Sequence, residues 1–280
     1  MACCSIQIRA FNNLVNKKKY DSVIFFLNRS ILFLTVYRFF FKHSFNVIIS
    51  FRSFMSSQVL NNDSTISAYF LNKFIYKKII RNSQNYATSL ITNSRESKID
   101  LIQKFGIDSK KIKTIYNSLD FQTIIKESKL QKDQLFPSGS KAIVTMASFR
   151  EEKNHKFLIQ SFSEIKNFTK FKIFLCIIGD GVLRKNYIEL INELNLKYLN
   201  WDESKTISSE VDIVFFGFQK KPYNIISQAD LFVLSSTREG FPNSLIEAMS
   251  CNLPVVSSNC SSGPKEILNS DNTFNFDTKV

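Results

Sequence analysis

Residues 237–256 read TREGFPNSLIEAMSCNLPVV. An apolar run at Leu231–Leu234 precedes them and predicts a buried strand. A short loop of glycine, proline and asparagine then breaks the chain, Ser244 begins a predicted helix, and a second strand follows at residues 254–256. Because these elements form a βαβ unit of a parallel sheet, the loop is expected at the carboxyl edge of that sheet. Open α/β sheets bind their ligands at this edge.

Two carboxylates flank this loop. Glu239 lies before it, and Glu247 lies in the first turns of the predicted helix. The backbone amides of the loop and the positive end of the helix favour an anion or a ligand rich in hydroxyl groups. Glu247 taken alone is more readily explained as an acidic residue that complements the helix dipole. The two carboxylates together, around Gly-Phe-Pro-Asn, favour a sugar or nucleotide site.

The sequence upstream of this unit continues the alternation of strands and helices. Asn154 is expected to cap a helix, and the polar segment 196–210 is expected to form an exposed excursion. The alternation predicts a mostly parallel, doubly wound sheet. The predicted strands are 141–147, 171–178 and 211–216, and the predicted helices are 155–165, 182–194 and 222–227.

A cationic loop follows the first strand of this half. In MASFREEKNH, residues 146–155, Arg150 and Lys153 are expected to converge where strand meets helix. Two cations there can hold a diphosphate and neutralise the charge that builds on it when a sugar leaves. The alternative is an ordinary charged loop in which Glu151 and Glu152 are the partners. The residues alone leave these two interpretations evenly balanced.

The first half of the chain shows a similar pattern. We place a first domain at residues 1–127, a linker at 128–140 and a second domain at 141–280, since Pro137-Ser138-Gly139-Ser140 is typical of a linker. The predicted strands of the first domain are 21–27, 46–50, 88–92 and 111–116, and its helices are 30–41, 64–84 and 94–105, the last ending at Gly106.

The charge of the chain is concentrated in the first half. Residues 1–136 contain 21 Lys and Arg and 8 Asp and Glu, whereas residues 137–280 contain 16 of each. The excess of +13 therefore favours a polyanion or an anionic membrane surface as a partner of the first half. Polar residues interrupt the Phe-rich segment 24–51, so we expect surface attachment rather than a membrane span.

The cysteines and the N-terminus indicate a reducing compartment. The five cysteines are odd in number and lack the spacing of metal ligands, and Cys176 is predicted to be a core residue. MACCSIQIRA has no hydrophobic core of a secretory signal. These features predict a cytoplasmic protein.

A family resemblance adds to these observations. EGFPNSLIEAM, with seven residues between its two glutamates, resembles the signature of retaining glycosyltransferases of the GT-B fold, family four. NLPVVSSNCSSGPKEIL and SLITNSRESKIDLIQKFGIDSKKIKTIYNSLD resemble further segments of that family. The resemblance runs from about residue 20 to residue 268. It implies two Rossmann-like, doubly wound domains, the N-terminal one incomplete, since the family's early glycine-rich loop has no counterpart before Gly106.

The resemblance also implies roles for individual residues. It makes Arg150, Lys153 and Glu239 catalytic, and it assigns Glu247 to the ribose hydroxyls of the donor. Phe218 would face the nucleotide base, although an aromatic residue is more often part of a core. The donor-binding residues implied by the resemblance are Gly179, Gly181, Phe218, Gly240, Phe241, Pro242, Asn243, Ser244 and Glu247.

These observations predict a retaining glycosyltransferase. It would transfer a hexose or N-acetylhexosamine from a nucleotide sugar, preferably UDP-linked, to a surface glycan or lipid-linked acceptor, as in lipopolysaccharide or capsule synthesis. No Asp-x-Asp occurs in the sequence, so no metal cofactor is expected. A shortened, catalytically impaired relative that binds nucleotide or serves as a partner subunit is the alternative. A basic nucleic-acid-binding protein is a further one, disfavoured because no nucleic-acid module is recognisable.

Overall fold

The computed structural model of the protein describes residues 2–60, 66–130, 134–203 and 206–268. The chain forms two compact units, each built on one parallel sheet. Of the described residues, those within 1–117, 239–241 and 261–266 form the first unit, and those within 118–238, 242–260 and 267–268 form the second.

The first unit has a four-stranded sheet in the order β1-β2-β3-β4, with all neighbours parallel. Its elements are α1 (Ala2–Lys18), β1 (Ser22–Phe26), α2 (Leu27–Phe40), β2 (Asn46–Phe51), α3 (Met55–Leu60), α4 (Ile66–Ser83), β3 (Ser89–Thr92), α5 (Arg95–Phe105) and β4 (Ile112–Thr114).

One face of this sheet carries the core of the first unit. Ile49 is fully buried and lies beside Leu90 of the next strand in the parallel register. The ring of Phe11 in α1 packs edge-on against Tyr37 of α2, with 5.0 Å between the ring centroids. Ser94 caps the start of α5, since its hydroxyl accepts from the Ser97 amide at 3.0 Å, and Gly106 follows the helix with φ 68°. The predicted end of this helix at Gly106 is confirmed.

The second unit has a six-stranded parallel sheet in the order β10-β9-β5-β6-β8-β7. Its elements are α6 (Phe121–Ser128), β5 (Lys141–Met146), α7 (His155–Phe168), β6 (Ile173–Ile178), α8 (Arg184–Glu193), β7 (Tyr198–Asn200), β8 (Ile213–Gly217), α9 (Tyr223–Ile226), β9 (Leu231–Leu234), α10 (Asn243–Ser250) and β10 (Val255–Ser257); α11 (Gly263–Leu268) begins in the first unit and ends in the second.

The order of these strands reverses direction at β5. The chain proceeds from β5 to β6 and β8 on one side and returns to β9 and β10 on the other. Apolar side chains pack against both faces of this sheet, and every residue of Ile173–Ile178 in β6 is buried. The carboxyl ends of β5 and β9 therefore flank a topological switch point, the usual ligand crevice of an open α/β sheet.

Several sequence predictions for the second half are corrected by the structure. The segment 196–210 is not merely an exposed excursion, because it contains β7 and the buried residue Ile207. Asn154 precedes α7, but its side chain makes no capping hydrogen bond; instead its backbone is left-handed, with φ 52°. Residues 118–127, which the sequence pattern assigns to the first domain, pack with the second unit. Cys176 is fully buried, as predicted.

Candidate functional site

The predicted cationic loop lies at the switch point of the second sheet. It follows β5 as a short 3-10 turn at Glu151–Lys153, and the Arg150 side chain is exposed. Two hydrogen bonds join this loop to the chain that leaves β9. The Ser235 hydroxyl donates to the Lys153 carbonyl at 2.8 Å, and the Thr237 amide donates to the Glu152 carbonyl at 2.9 Å. The structure thus brings the Arg150–Lys153 loop beside the loop that leads to Glu239.

A buried histidine lies at the start of α7, two residues after Lys153. His155, the first residue of α7, has no exposed surface, and its ring packs edge-on against Phe149 and Tyr187 at 5.2 and 5.6 Å. Burial lowers the pKa of His155 to about 4, the backbone of Ala147 opposes that shift, and the Lys153 charge adds to it. The imidazole is therefore neutral at physiological pH. Its full burial against Phe149 and Tyr187 indicates a structural role for this side chain.

Close backbone packing explains the glycines after β6. A Cβ on Gly179 would come within 2.1 Å of the Ala147 carbonyl oxygen, and a Cβ on Gly181 would come within 2.9 Å of the Phe149 backbone. Gly179 also has φ 135°, which L side chains rarely adopt. These glycines allow the loops after β5 and β6 to touch along the carboxyl edge, where the sequence places the nucleotide.

The aromatic residue after β8 is exposed. Phe218 has 82% of its surface accessible, so the alternative that it is a core residue is wrong. It follows Gly217, which has φ 65° and ends β8 at the same edge of the sheet. An exposed ring on a sharply turned backbone is suited to stacking against a flat ligand.

The second carboxylate lies in α10 beside a tyrosine that sequence reasoning missed. Glu247 is half-buried, and the Tyr223 hydroxyl from α9 hydrogen-bonds to its carboxyl group. Burial raises the pKa of Glu247, and this hydrogen bond opposes the rise. Burial and the nearby Glu247 together raise the pKa of the Cys251 thiol to about 11. No sequence spacing links Tyr223 to Glu247, because β9 separates their helices.

The first carboxylate belongs to the other unit. Glu239, Gly240 and Phe241 pack with the first unit, and Glu239 is half-buried there. A Cβ on Gly240 would come within 2.3 Å of the Arg52 carbonyl oxygen, so only glycine fits at this position. The Phe241 ring lies 5.1 Å from that of Tyr116.

Residues 261–266 pack beside this segment in the first unit. The Ser262 hydroxyl donates to the Gly240 carbonyl at 2.6 Å, and the Glu96 amide donates to the Glu266 carboxylate at 2.6 Å. Glu266 thereby serves the amino end of α5, a role for the family-like segment GPKEIL that the sequence did not predict.

The predicted site residues are therefore divided between the units. The second unit contains Arg150, Lys153, Gly179, Gly181, Phe218, Pro242, Asn243, Ser244 and Glu247, and the first contains Glu239, Gly240 and Phe241. That Glu239 acts on the same ligand as Arg150 and Lys153 stays a prediction. In the described part of the chain, no three His, Cys, Asp or Glu side chains cluster as metal ligands would.

Comparisons with known proteins identify the family and the fold. The family model described as glycosyl transferases group 1 matches residues 126–279. A relative from Campylobacter jejuni, N-acetylgalactosamine-N,N'-diacetylbacillosaminyl-diphospho-undecaprenol 4-alpha-N-acetylgalactosaminyltransferase, is 29% identical over 251 residues, which are 90% of this chain and 61% of the relative. An uncharacterized glycosyltransferase of Methanocaldococcus jannaschii is 30% identical over 227 residues, 80% of this chain and 48% of the relative.

A solved structure shares the fold. Anabaena HepE in complex with UDP-glucose superposes with a TM-score of 0.69 at 17% identity, over 94% of this chain and 65% of that one. The predicted GT-B-like fold of two Rossmann-like units is confirmed. The chain spans about three-fifths of the length of the Campylobacter relative. Because the family model covers more than half of its residues, the chain belongs to the glycosyl transferases group 1 family.

Proposed function

We propose that the chain provides the donor site of a retaining, metal-independent glycosyltransferase of family four. It transfers a hexose or N-acetylhexosamine from a nucleotide sugar, UDP-linked by preference, to a surface glycan or a lipid-linked acceptor, at the cytoplasmic face of a membrane. HepE with UDP-glucose supports a UDP-linked donor, and the diphospho-undecaprenol in the name of the Campylobacter relative supports a lipid-linked acceptor.

The position of the cationic loop carries this proposal. Arg150 and Lys153 follow β5 at the switch point, and hydrogen bonds from the Ser235 hydroxyl and the Thr237 amide hold their loop to the chain after β9. Two cations in this crevice suit the diphosphate of a nucleotide sugar. The exposed Phe218 ring follows β8 and the half-buried Glu247 carboxylate follows β9, on either side of β5 and β6 in the same sheet. At the carboxyl edge of such a sheet, a base needs a flat surface and a ribose needs a hydrogen-bond acceptor.

Each residue then has a role in transfer. The bond between the anomeric carbon and the diphosphate breaks, and Arg150 and Lys153 stabilise the negative charge that develops on the leaving oxygen. The acceptor hydroxyl forms the new bond on the same face of the sugar, and its proton passes to the diphosphate. Glu239 holds the donor sugar, and Glu247 accepts hydrogen bonds from the ribose.

Calorimetric titration with UDP- and GDP-linked sugars tests the donor site. We expect Arg150→Gln and Lys153→Gln each to weaken binding of the preferred donor by about tenfold or more, because each removes a charge-assisted hydrogen bond. Lys170→Gln is the matched control, since Lys170 is exposed beyond the far end of α7. An absence of binding by every nucleotide sugar tested would contradict the proposal, as would equal losses in all three variants.

A second candidate function, donor binding without transfer by this chain alone, is favoured by the first sheet. The face opposite its core carries Ile24 and Phe26 of β1 and Ile115 after β4, each about half exposed. Parallel sheets ordinarily have both faces covered, whereas the described residues leave these side chains of the first sheet in solvent. Donor binding in the titration, combined with neither transfer nor hydrolysis of the sugar, would support this candidate over the first.

A further inference from the structure

Two helix ends meet at the amino edge of the first sheet. Helix α1 ends at Lys18 just before β1, and α2 ends at Phe40 just before β2. The two strands are parallel neighbours, and the Asn46 amide donates to the Asp21 carbonyl at 2.8 Å where they begin. Both helix ends therefore lie at this edge, opposite the carboxyl edge where ligands of such sheets bind.

Exposed aromatic and basic side chains occupy this edge. Phe39 and Phe40 are 84% and 66% exposed, and their ring centroids lie 5.2 Å apart at an interplanar angle of 82°. The lysines nearby are also exposed. We call this surface the amino-edge patch, and its residues are Lys17, Lys18, Lys19, Phe39, Phe40 and Lys42.

The surrounding sequence is strongly basic. Residues 1–51 contain a single acidic residue, Asp21. They contain seven basic residues: Arg9, Lys17, Lys18, Lys19, Arg29, Arg38 and Lys42. Of these, Arg38 stacks on the Tyr86 ring at 4.1 Å. The patch thus joins a positive field to two apolar rings that the fold leaves in solvent.

We propose that the amino-edge patch docks on the surface of an anionic lipid bilayer. Phe39 and Phe40 enter the boundary between headgroups and acyl chains, and the lysines pair with lipid phosphates. In the described residues, no helix is long and apolar enough to cross a membrane, so the contact is with the surface. The proposal depends on this patch alone and not on the donor site.

The geometry of the rings favours lipid over nucleic acid. Single-stranded nucleic acids bind where aromatic faces are open to successive bases. The Phe39 and Phe40 rings are nearly perpendicular and touch edge to face, so they form an apolar wedge rather than a row of stacking platforms. A wedge of this kind, flanked by lysines, matches the amphipathic boundary of a bilayer.

Vesicle flotation of the whole chain tests the proposal. The probes are vesicles of phosphatidylcholine alone and of equal parts phosphatidylcholine and phosphatidylglycerol. We expect the chain to float with the anionic vesicles and much less with the neutral ones. Phe39→Ser with Phe40→Ser, and the triple change of Lys17, Lys18 and Lys19 to Gln, should each reduce anionic binding by about tenfold or more.

Matched controls come from the second unit. Phe168→Ser removes a phenylalanine that is 87% exposed, and the triple change of Lys170, Lys185 and Lys220 to Gln removes three exposed lysines. Both controls should bind as the parent chain does. Because the changed side chains of the patch are exposed, far-ultraviolet circular dichroism should be unchanged in every variant.

A gain-of-signal variant gives a second readout. Phe39→Trp should show a shift of emission to shorter wavelength on adding anionic vesicles, beyond any change in the parent chain, which has Trp201 alone. Unchanged flotation of both patch variants would overturn the proposal, as would the absence of that shift. Retention of a single-stranded RNA that is lost in the patch variants, without vesicle binding, would overturn it in favour of nucleic acid.

Discussion

His155 gives the second unit a defined sensitivity to acid. Its ring is fully buried between Phe149 and Tyr187, and burial lowers its pKa to about 4 from an ordinary value of 6.5. The unfolded chain therefore binds a proton between these two values and the folded chain does not. The contribution of neutral His155 to the free energy of unfolding is therefore fully present above about pH 6.5 and is lost as the pH falls towards 4.

The magnitude follows from the two pKa values. One pKa unit corresponds to about 1.4 kcal/mol, so the full difference amounts to about 3.4 kcal/mol below pH 4. At pH 5 the linkage relation gives a loss of about 2 kcal/mol relative to pH 7.5. His155→Phe keeps an aromatic ring against Phe149 and Tyr187 but removes the titrating group. Its free energy of unfolding should therefore fall less between pH 7.5 and pH 5, by about 2 kcal/mol.

The assay uses the single tryptophan of the chain. Trp201 belongs to the second unit and packs against Phe216 at 5.0 Å, so its fluorescence in urea reports the unfolding of the unit that contains His155. Any constant cost of the substitution cancels, because only the change with pH is compared. His43→Phe, which changes the only other histidine and lies in the first unit, is the control. The reasoning is refuted if the parent chain and His155→Phe lose the same stability, within about 0.5 kcal/mol.

Three further predictions concern the second unit. Gly179→Ala should lower the free energy of unfolding in urea by about 3 kcal/mol or more, because the new Cβ would meet the Ala147 carbonyl. Gly139→Ala is the control: Gly139 also has a positive φ of 77°, but no atom lies near its Cβ position, so the free energy of unfolding should fall by only about 1–2 kcal/mol. Phe218→Ser should change the free energy of unfolding by less than about 0.5 kcal/mol and weaken UDP binding about tenfold in calorimetry. If the variant binds UDP as tightly as the parent chain, the Phe218 ring does not contact the nucleotide. Asp212→Asn should lower the free energy of unfolding by about 2–3 kcal/mol, since the buried Asp212 carboxylate accepts from Lys172 at 2.8 Å and lies 2.9 Å from Lys166. A change below about 0.5 kcal/mol in urea would show that these two ion pairs do not stabilise the unit.

The sequence predicts the strands of the second sheet well because their signal is local. Leu231–Leu234 is found with the predicted limits, and β5, β6 and β8 differ by a few residues at their ends. Each is an apolar run that stops at a glycine or a polar turn, and burial on both faces of a parallel sheet produces such runs. Strand β7 is missed because its three residues are half-exposed at the edge of the sheet and carry no apolar pattern.

Asparagine shows where local signals are ambiguous. Asn154 and Asn252 both flank helices, and both have left-handed backbones, with φ 52° and 60°. Asn252 lies just past α10 and ends it with its left-handed backbone, whereas the side-chain cap predicted at Asn154 is not found. The same residue type serves both purposes, since its side chain can cap a helix and its backbone tolerates positive φ.

Long-range packing is what the sequence does not predict. The grouping of residues 239–241 and 261–266 with the first unit depends on contacts such as Ser262 with Gly240 and Glu266 with Glu96. The pairing of Tyr223 with Glu247 likewise joins helices separated by a strand. Such contacts are fixed by the tertiary fold, so no periodicity or spacing within one segment contains them.

The contacts that position the cationic loop do not involve the Arg150 side chain. The bonds that position the loop after β5 use the backbone carbonyls of Glu152 and Lys153, and the neighbouring loop approaches through Gly179. None of these contacts uses the Arg150 guanidinium. A substitution of Arg150 should therefore change ligand binding while the loop keeps its place, whereas Gly179→Ala should displace the loop and lose binding and stability together. The two kinds of variant distinguish a residue that contacts the donor from one that positions the loop.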